Sequence, residues 1–143
     1  IQALLDHGIP VKSEYIHFRT GSCDPGRFHE YDPEQGEFIR NNPQMTAIMC
    51  ADDQVAIATL FSALHLNIAV PEQLSIVGFS DTYLSALTPI PLTTVRQDTD
   101  RLAAAAVDLL MKRIRQSKEQ HLTIKIQTNI VERKSVFDRS GLR

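Results

Sequence analysis

Thr46-Ala-Ile-Met-Cys-Ala51, followed at once by Asp52-Asp53-Gln54 and the longer run Val55-Ala-Ile-Ala-Thr-Leu-Phe-Ser-Ala-Leu-His-Leu66, decides the fold class. The first six residues form an apolar run bounded by an acidic turn and read as a strand buried on both faces. From Asp53 to Leu66 the apolar side chains Val55, Ala56, Leu60, Phe61, Ala63 and Leu64 recur at helical spacing over a length that excludes another strand. Asn67 and Pro71 end this helix, and Leu74-Ser-Ile-Val-Gly78 supplies a second strand. A crossover of this kind makes the two strands parallel, and the predicted class is α/β with a mostly parallel sheet flanked by helices.

The same alternation extends in both directions. Upstream, Glu14-Tyr-Ile-His-Phe18 reads as a strand, followed by a loop with Gly21, Pro25 and Gly26 and a short helix from Pro33 to Asn41. Downstream, past Pro89 and Pro91, Leu92-Thr-Thr-Val-Arg96 is a further extended segment. A second strong helix follows, with Asp98 or Thr99 to cap it, Leu102, Ala105, Ala106, Leu109 and Leu110 along one face, and Lys112, Arg113 and Arg115 at its end. That apolar face needs a partner surface. From Leu122 to Val136 the β-rich character returns, with Ile124, Ile126, Thr128 and Ile130 alternating against polar neighbours, and the residues through Arg143 read as a loose tail.

Composition narrows the function classes. The 143 residues are 43% hydrophobic and 22% charged with a formal net charge of -2, which suits one compact globular unit or a large fragment of a two-lobed protein. There is no targeting segment and no apolar stretch long enough to span a membrane, so a cytoplasmic location is expected. Lys and Arg are evenly spread and make no basic face, so any contact with DNA must lie outside this chain. Cys23 and Cys50 show no CxxC spacing, and five scattered histidines no HExxH pattern; neither a disulfide, a metal site nor a cofactor is expected.

In an open parallel sheet the ligand crevice lies beyond the carboxyl ends of the strands. Two such ends are Ala51-Asp52-Asp53-Gln54 and Phe79-Ser80-Asp81-Thr82, and adjacent parallel strands would open both turns on one rim, where they could share a ligand. Carboxylates there accept hydrogen bonds from vicinal hydroxyls of a sugar or nucleoside. Asp53 reads first as the N-cap of its helix, which makes Asp52 the better ligand candidate. Asp81 suits either capping of a short helix over Thr82 to Leu87 or ligand binding, Phe79 either core packing or a ring platform, and Gln97 either an ordinary surface amide or a hydroxyl partner. Enzymatic chemistry is not expected: there is no GxSxG elbow and no GxxxxGK[ST] loop, and Cys23 with His17 or His29 as a base would be a nucleophile without an evident substrate.

Three motifs then appear in order. Thr46-Ala-Ile-Met-Cys-Ala-Asp-Asp-Gln-Val-Ala56, Val70-Pro-Glu-Gln-Leu-Ser-Ile-Val-Gly-Phe-Ser-Asp81 and Pro91-Leu-Thr-Thr-Val-Arg-Gln97 resemble the "TAI-x-x-A-N-D-x-x-A", "VP-x-D-(I/V)-S-(I/V)-VG-(F/Y)-D-D" and "P-x-LTT(V/I)-x-Q" segments of lactose-repressor/galactose-repressor regulators. Leu102 to Ile114 and Val131-Glu-Arg133 are similar to later family segments, Leu4 to Val11 to an earlier one. The resemblance implies a periplasmic-binding-protein-like fold of two α/β lobes with the effector between them, a homodimer, and a DNA-reading head with most of the N-terminal lobe before Ile1. It implies that residues 1–97 and about 122–136 form the C-terminal lobe, while the helix over about 98–118 crosses into the other lobe. By position, Asp52 matches a cleft Asn, Ser80 the first cleft Asp of "G(F/Y)DD", and Gln97 a polar residue at the crossover; the first two depart from the family pattern. The function expected is a ligand sensor that controls operator binding allosterically, with no enzymatic activity. The alternative is a sugar-binding protein of a transporter, which shares the two-lobed fold but is exported.

Overall fold

The computed structural model describes residues 2–19, 30–115 and 122–139. Four strands, β1 (Ala47–Met49), β2 (Ser75–Ser80), β3 (Thr93–Arg96) and β4 (Asn129–Val131), form one sheet in the order β1-β2-β3-β4. The first three are parallel, with Met49 opposite Val77 and Ser80 opposite Arg96, and β4 closes the sheet antiparallel to β3 with Arg96 opposite Asn129. Four helices accompany them: α1 (Gln2–Asp6), α2 (Pro33–Asn41), α3 (Asp53–His65) and α4 (Thr99–Arg115).

Helix α2 begins where its sequence says it should. Asp32 accepts from the backbone N–H groups of Glu34 and Gln35, and Pro33 occupies a position whose own N–H would have no partner. Helix α3 ends with Asn67 at φ 57°, Ile68 N donating to Ala63 O and Asn67 N to Leu64 O, the paired closure that a left-handed residue after a helix provides. Between these ends α3 lies on the sheet, and Ala56, Leu60, Ala63, Ile76 and Leu92 are all 0% exposed. Each large apolar side chain buried this way contributes about 1.5–3 kcal/mol.

Three expectations are corrected. Glu14 to Phe18 is not a strand: Ser13–Tyr15 is a single 3-10 turn, Phe18 is exposed, and the segment packs through side chains, with His17 stacked on Phe38 at 4.8 Å. Alternation marks a two-faced segment, but a ladder also needs a strand beside it. Nor is β1 buried on both faces; it is an edge strand whose Met49 is 70% exposed, so an apolar run reported hydrophobicity without reporting what covers it. Finally, only Asn129–Val131 of the expected β-rich stretch from Leu122 to Val136 pairs into the sheet.

Helix α4 forms as its periodicity predicts, and Asp98 caps it by accepting from Arg101 N at 3.0 Å. None of its residues is buried, and Leu102, Val107, Leu110, Met111 and Ile114 stand exposed. The described part of the chain leaves its apolar face uncovered. The loop with Gly21, Cys23, Pro25, Gly26 and His29 lies outside the described residues, as do 116–121 and the tail from 140.

Candidate functional site

The parallel pairing of β1 with β2 settles where the two acidic turns emerge. Cys50 N donates to Val77 O at 2.8 Å, so the chain leaves β1 at Ala51 on the rim where β2 ends at Ser80 and β3 at Arg96. Asp52, Ser80, Asp81 and Gln97 therefore stand on one rim, at the carboxyl ends of three adjacent strands.

Asp52, not Asp53, is the N-cap of α3. Its backbone is extended (φ -151°, ψ 173°) and its Oδ1 accepts from Val55 N at 2.8 Å, the third residue on, as a cap requires. Among the described residues Oδ2 of this half-buried side chain carries no hydrogen bond, leaving an acceptor at the rim. Asp53, one residue later, points inward and is 1% exposed. Its Oδ2 accepts from Thr82 N at 2.6 Å and Thr82 Oγ1 at 3.0 Å, its Oδ1 from Thr94 Oγ1 at 2.6 Å. A buried carboxyl group needs such a set of hydrogen-bond partners to offset the water it has lost. Gly78 makes the approach possible, because a Cβ there would run into Asp53 Oδ1.

The second turn is held just as firmly. Ser80 (φ 112°) and Asp81 (φ 52°) both take positive φ, which costs about 1–3 kcal/mol per residue and persists only where surrounding contacts enforce it. Here Thr82 is tied to Asp53, and the Asp81 side chain, 6% exposed, meets Arg133 Nη2 and Arg96 Nε, each at 2.5 Å. Asp81 thus caps nothing; Thr82 precedes the 3-10 helix Tyr83–Ala86 without a side-chain cap. Burial pushes the Asp81 carboxyl up, but the hydrogen bonds and charges of Arg133 and Arg96 outweigh it and hold the group below the ordinary carboxylate value. Arg133 also donates to Ser85 Oγ and Leu92 O, fastening the segment just after β4 to the turn.

Phe79 is half-buried on β2, on the opposite pleat from Gly78 and hence from α3. Gln97, half-buried one residue past β3, accepts from Thr99 N through its carbonyl at the entry to α4. Cys50, behind the Asp52 turn, is buried and bonded to Thr59; burial, opposed by that bond, pushes its thiol up to about 11. Two surface hollows, of about 250 and 310 Å³, lie elsewhere, the first around Ile39, Met45 and Leu74, the second around His17 and Glu37. The sequence places Thr82 in the second turn but does not show that it bonds Asp53, and it does not mark Thr94, Gly78 or Arg133 as parts of the rim. Arg133 lies in a segment already noted for its family likeness, and Thr94 in the Leu-Thr-Thr-Val run, but nothing in spacing alone says that either reaches residues 53 or 81.

Comparison with known proteins adds the decisive observation: residues 2–136 match the family described as periplasmic binding protein-like domain. The chain belongs to that family. Within it, the likeness is to the effector-binding regions of lactose-repressor/galactose-repressor regulators. The HTH-type transcriptional repressor PurR of Pasteurella multocida is 32% identical over 139 residues, 97% of this chain and 40% of its own length. The chain therefore spans about two fifths of the curated relatives it matches. A structure of the transcriptional regulator CelR with cellobiose superposes with a TM-score of 0.79 at 23% identity, covering 94% of this chain and 39% of that one. The lac repressor dimer bound to operator and the anti-inducer ONPF gives 0.65 at 27% identity, over 73% of this chain and 37% of that one. These relatives are transcriptional regulators, not enzymes, and among the described residues no helix is long and apolar enough to cross a membrane.

Proposed function

We propose that this chain is the effector-sensing part of a cytoplasmic, non-enzymatic transcription regulator, whose complete form adds a second α/β lobe and a DNA-reading head. The observation that carries the reading is the pair of turns at residues 52 and 80–81 fixed side by side on one rim of the sheet, in a chain whose relatives are repressors.

The effector is a small polar molecule of the sugar or nucleoside class. Asp52 Oδ2 offers an acceptor, Ser80 a hydroxyl able to donate and accept, Gln97 an amide, and Phe79 an apolar surface for a ring. Asp81, its oxygens taken by two arginines, contributes by holding Ser80 in place. The hollow is completed by the second lobe, and α4, as the crossover helix, buries its exposed Leu102, Val107 and Leu110 there. Complexes of related regulators with cellobiose and with ribose favour the sugar class. Two such chains form a homodimer, as in the operator-bound lac repressor dimer, and the effector acts by binding the two lobe arrangements unequally. The repressor relatives favour this over a transporter's binding protein.

Calorimetric titration of the complete protein with pentoses, hexoses and nucleosides tests the site. Asp52→Ala should weaken the ligand that binds by about tenfold or more, since a hydrogen bond to a charged group is worth about 1.5–3 kcal/mol. Equal binding by wild type and Asp52→Ala would remove Asp52 from the site. A signal peptide in place of a helix-turn-helix reader upstream of Ile1 would overturn the regulator reading.

A further inference from the structure

Asp53 is too deeply placed to meet an effector, yet it joins three separate elements at the rim. It belongs to the first turn of α3, directly after Asp52; through Oδ2 it holds Thr82, which follows Ser80 and Asp81; through Oδ1 it holds Thr94 of β3. Thr94 Oγ1 in turn lies 3.4 Å from Asp81 N. The Ser80–Asp81 turn is in a backbone conformation that neither residue adopts freely, so an outside restraint must keep it there.

We infer that Asp53 is the positioning residue of the effector site, locking the Asp52 and Ser80 turns into one rigid unit so that an effector meets both at a fixed separation. This rests on the proposed effector site, but the bond pattern makes it specific. Asp53→Asn keeps the shape, yet whichever way the amide turns, its NH2 faces a donor, the Thr82 N–H or the Thr94 hydroxyl. If the amide oxygen stays toward Thr94, the Thr82 N–H loses its acceptor, although the Thr82 hydroxyl can turn to accept from the amide. If it turns toward Thr82, the Thr94 hydroxyl must rotate and give up its bond.

The test uses the complete protein with D-ribose, D-glucose and adenosine as probes, alongside hydrogen exchange at the Thr82 amide. Asp53→Asn should speed exchange at Thr82 by at least about tenfold and weaken whichever probe binds by a similar factor, the worth of a bond to a charged acceptor. Thr82→Ser, which keeps both donors, should retain wild-type behaviour, and Thr82→Val, which keeps only the N–H, should fall between wild type and Asp53→Asn. Leu74→Ala, a core truncation at the other end of β2, controls for stability: it should lower Tm without lowering probe affinity. The inference is overturned if Asp53→Asn leaves Thr82 exchange unchanged, or if its loss of affinity is matched by Leu74→Ala at equal loss of Tm. If wild type binds none of the three probes, the proposed effector class fails, and exchange at Thr82 alone still decides the role of Asp53.

Discussion

The neighbouring carboxylates Asp52 and Asp53 do different work because a helix start turns adjacent side chains in different directions. The cap residue stays half outside and keeps one oxygen for the rim, while the next residue is carried under the Ser80–Asp81 turn. Asp52→Ala should therefore cost about 1 kcal/mol of stability through the lost cap, besides its effect on binding. Asp81 gives a pH signature. Its folded value lies below the ordinary 3.8, so its ion pairs contribute stability that is fully present above 3.8 and is lost as pH falls from there through the folded value. Thermal melts across that range should show wild type losing Tm more steeply with acid than Asp81→Asn, which starts from a lower Tm at neutral pH. Parallel acid limbs would show that the pairs with Arg96 and Arg133 do not matter to folding.

At the level of elements, β2 carries a tight constraint, since Gly78 lets α3 settle against the sheet with Asp53 in place. Gly78→Ala should cost about 1–3 kcal/mol by overpacking and should disturb the same turn as Asp53→Asn. In a double-mutant cycle on Tm and denaturant midpoint the two should be non-additive; strict additivity would separate them. What the sequence made legible follows from the same physics. Helix α2 was readable to its ends because Pro33 marks a start, and α3 to within a residue because its periodicity and Asn67 are local signals. The parallel rim followed from chain direction alone. The partners of Asp53 and Asp81 were not readable, because Thr82, Thr94 and Arg133 lie 29, 41 and 52 residues away and only the finished fold joins them. The exposure of Met49 and the unpaired state of Glu14 to Phe18 escaped for a related reason: composition cannot say what lies beside a strand.

For the whole molecule, the uncovered apolar face of α4 and the open rim share one explanation under the proposed two-lobed regulator, in which a second lobe would cover both. The most direct measurement is hydrogen exchange of the complete protein with and without a saturating sugar or nucleoside found by titration. Protection should rise together in peptides spanning 50–56 and 78–84 if, as proposed, one effector touches both turns. Protection confined to one of them, or centred on the hollow beside Ile39 and Leu74, would contradict a shared site at the carboxyl rim.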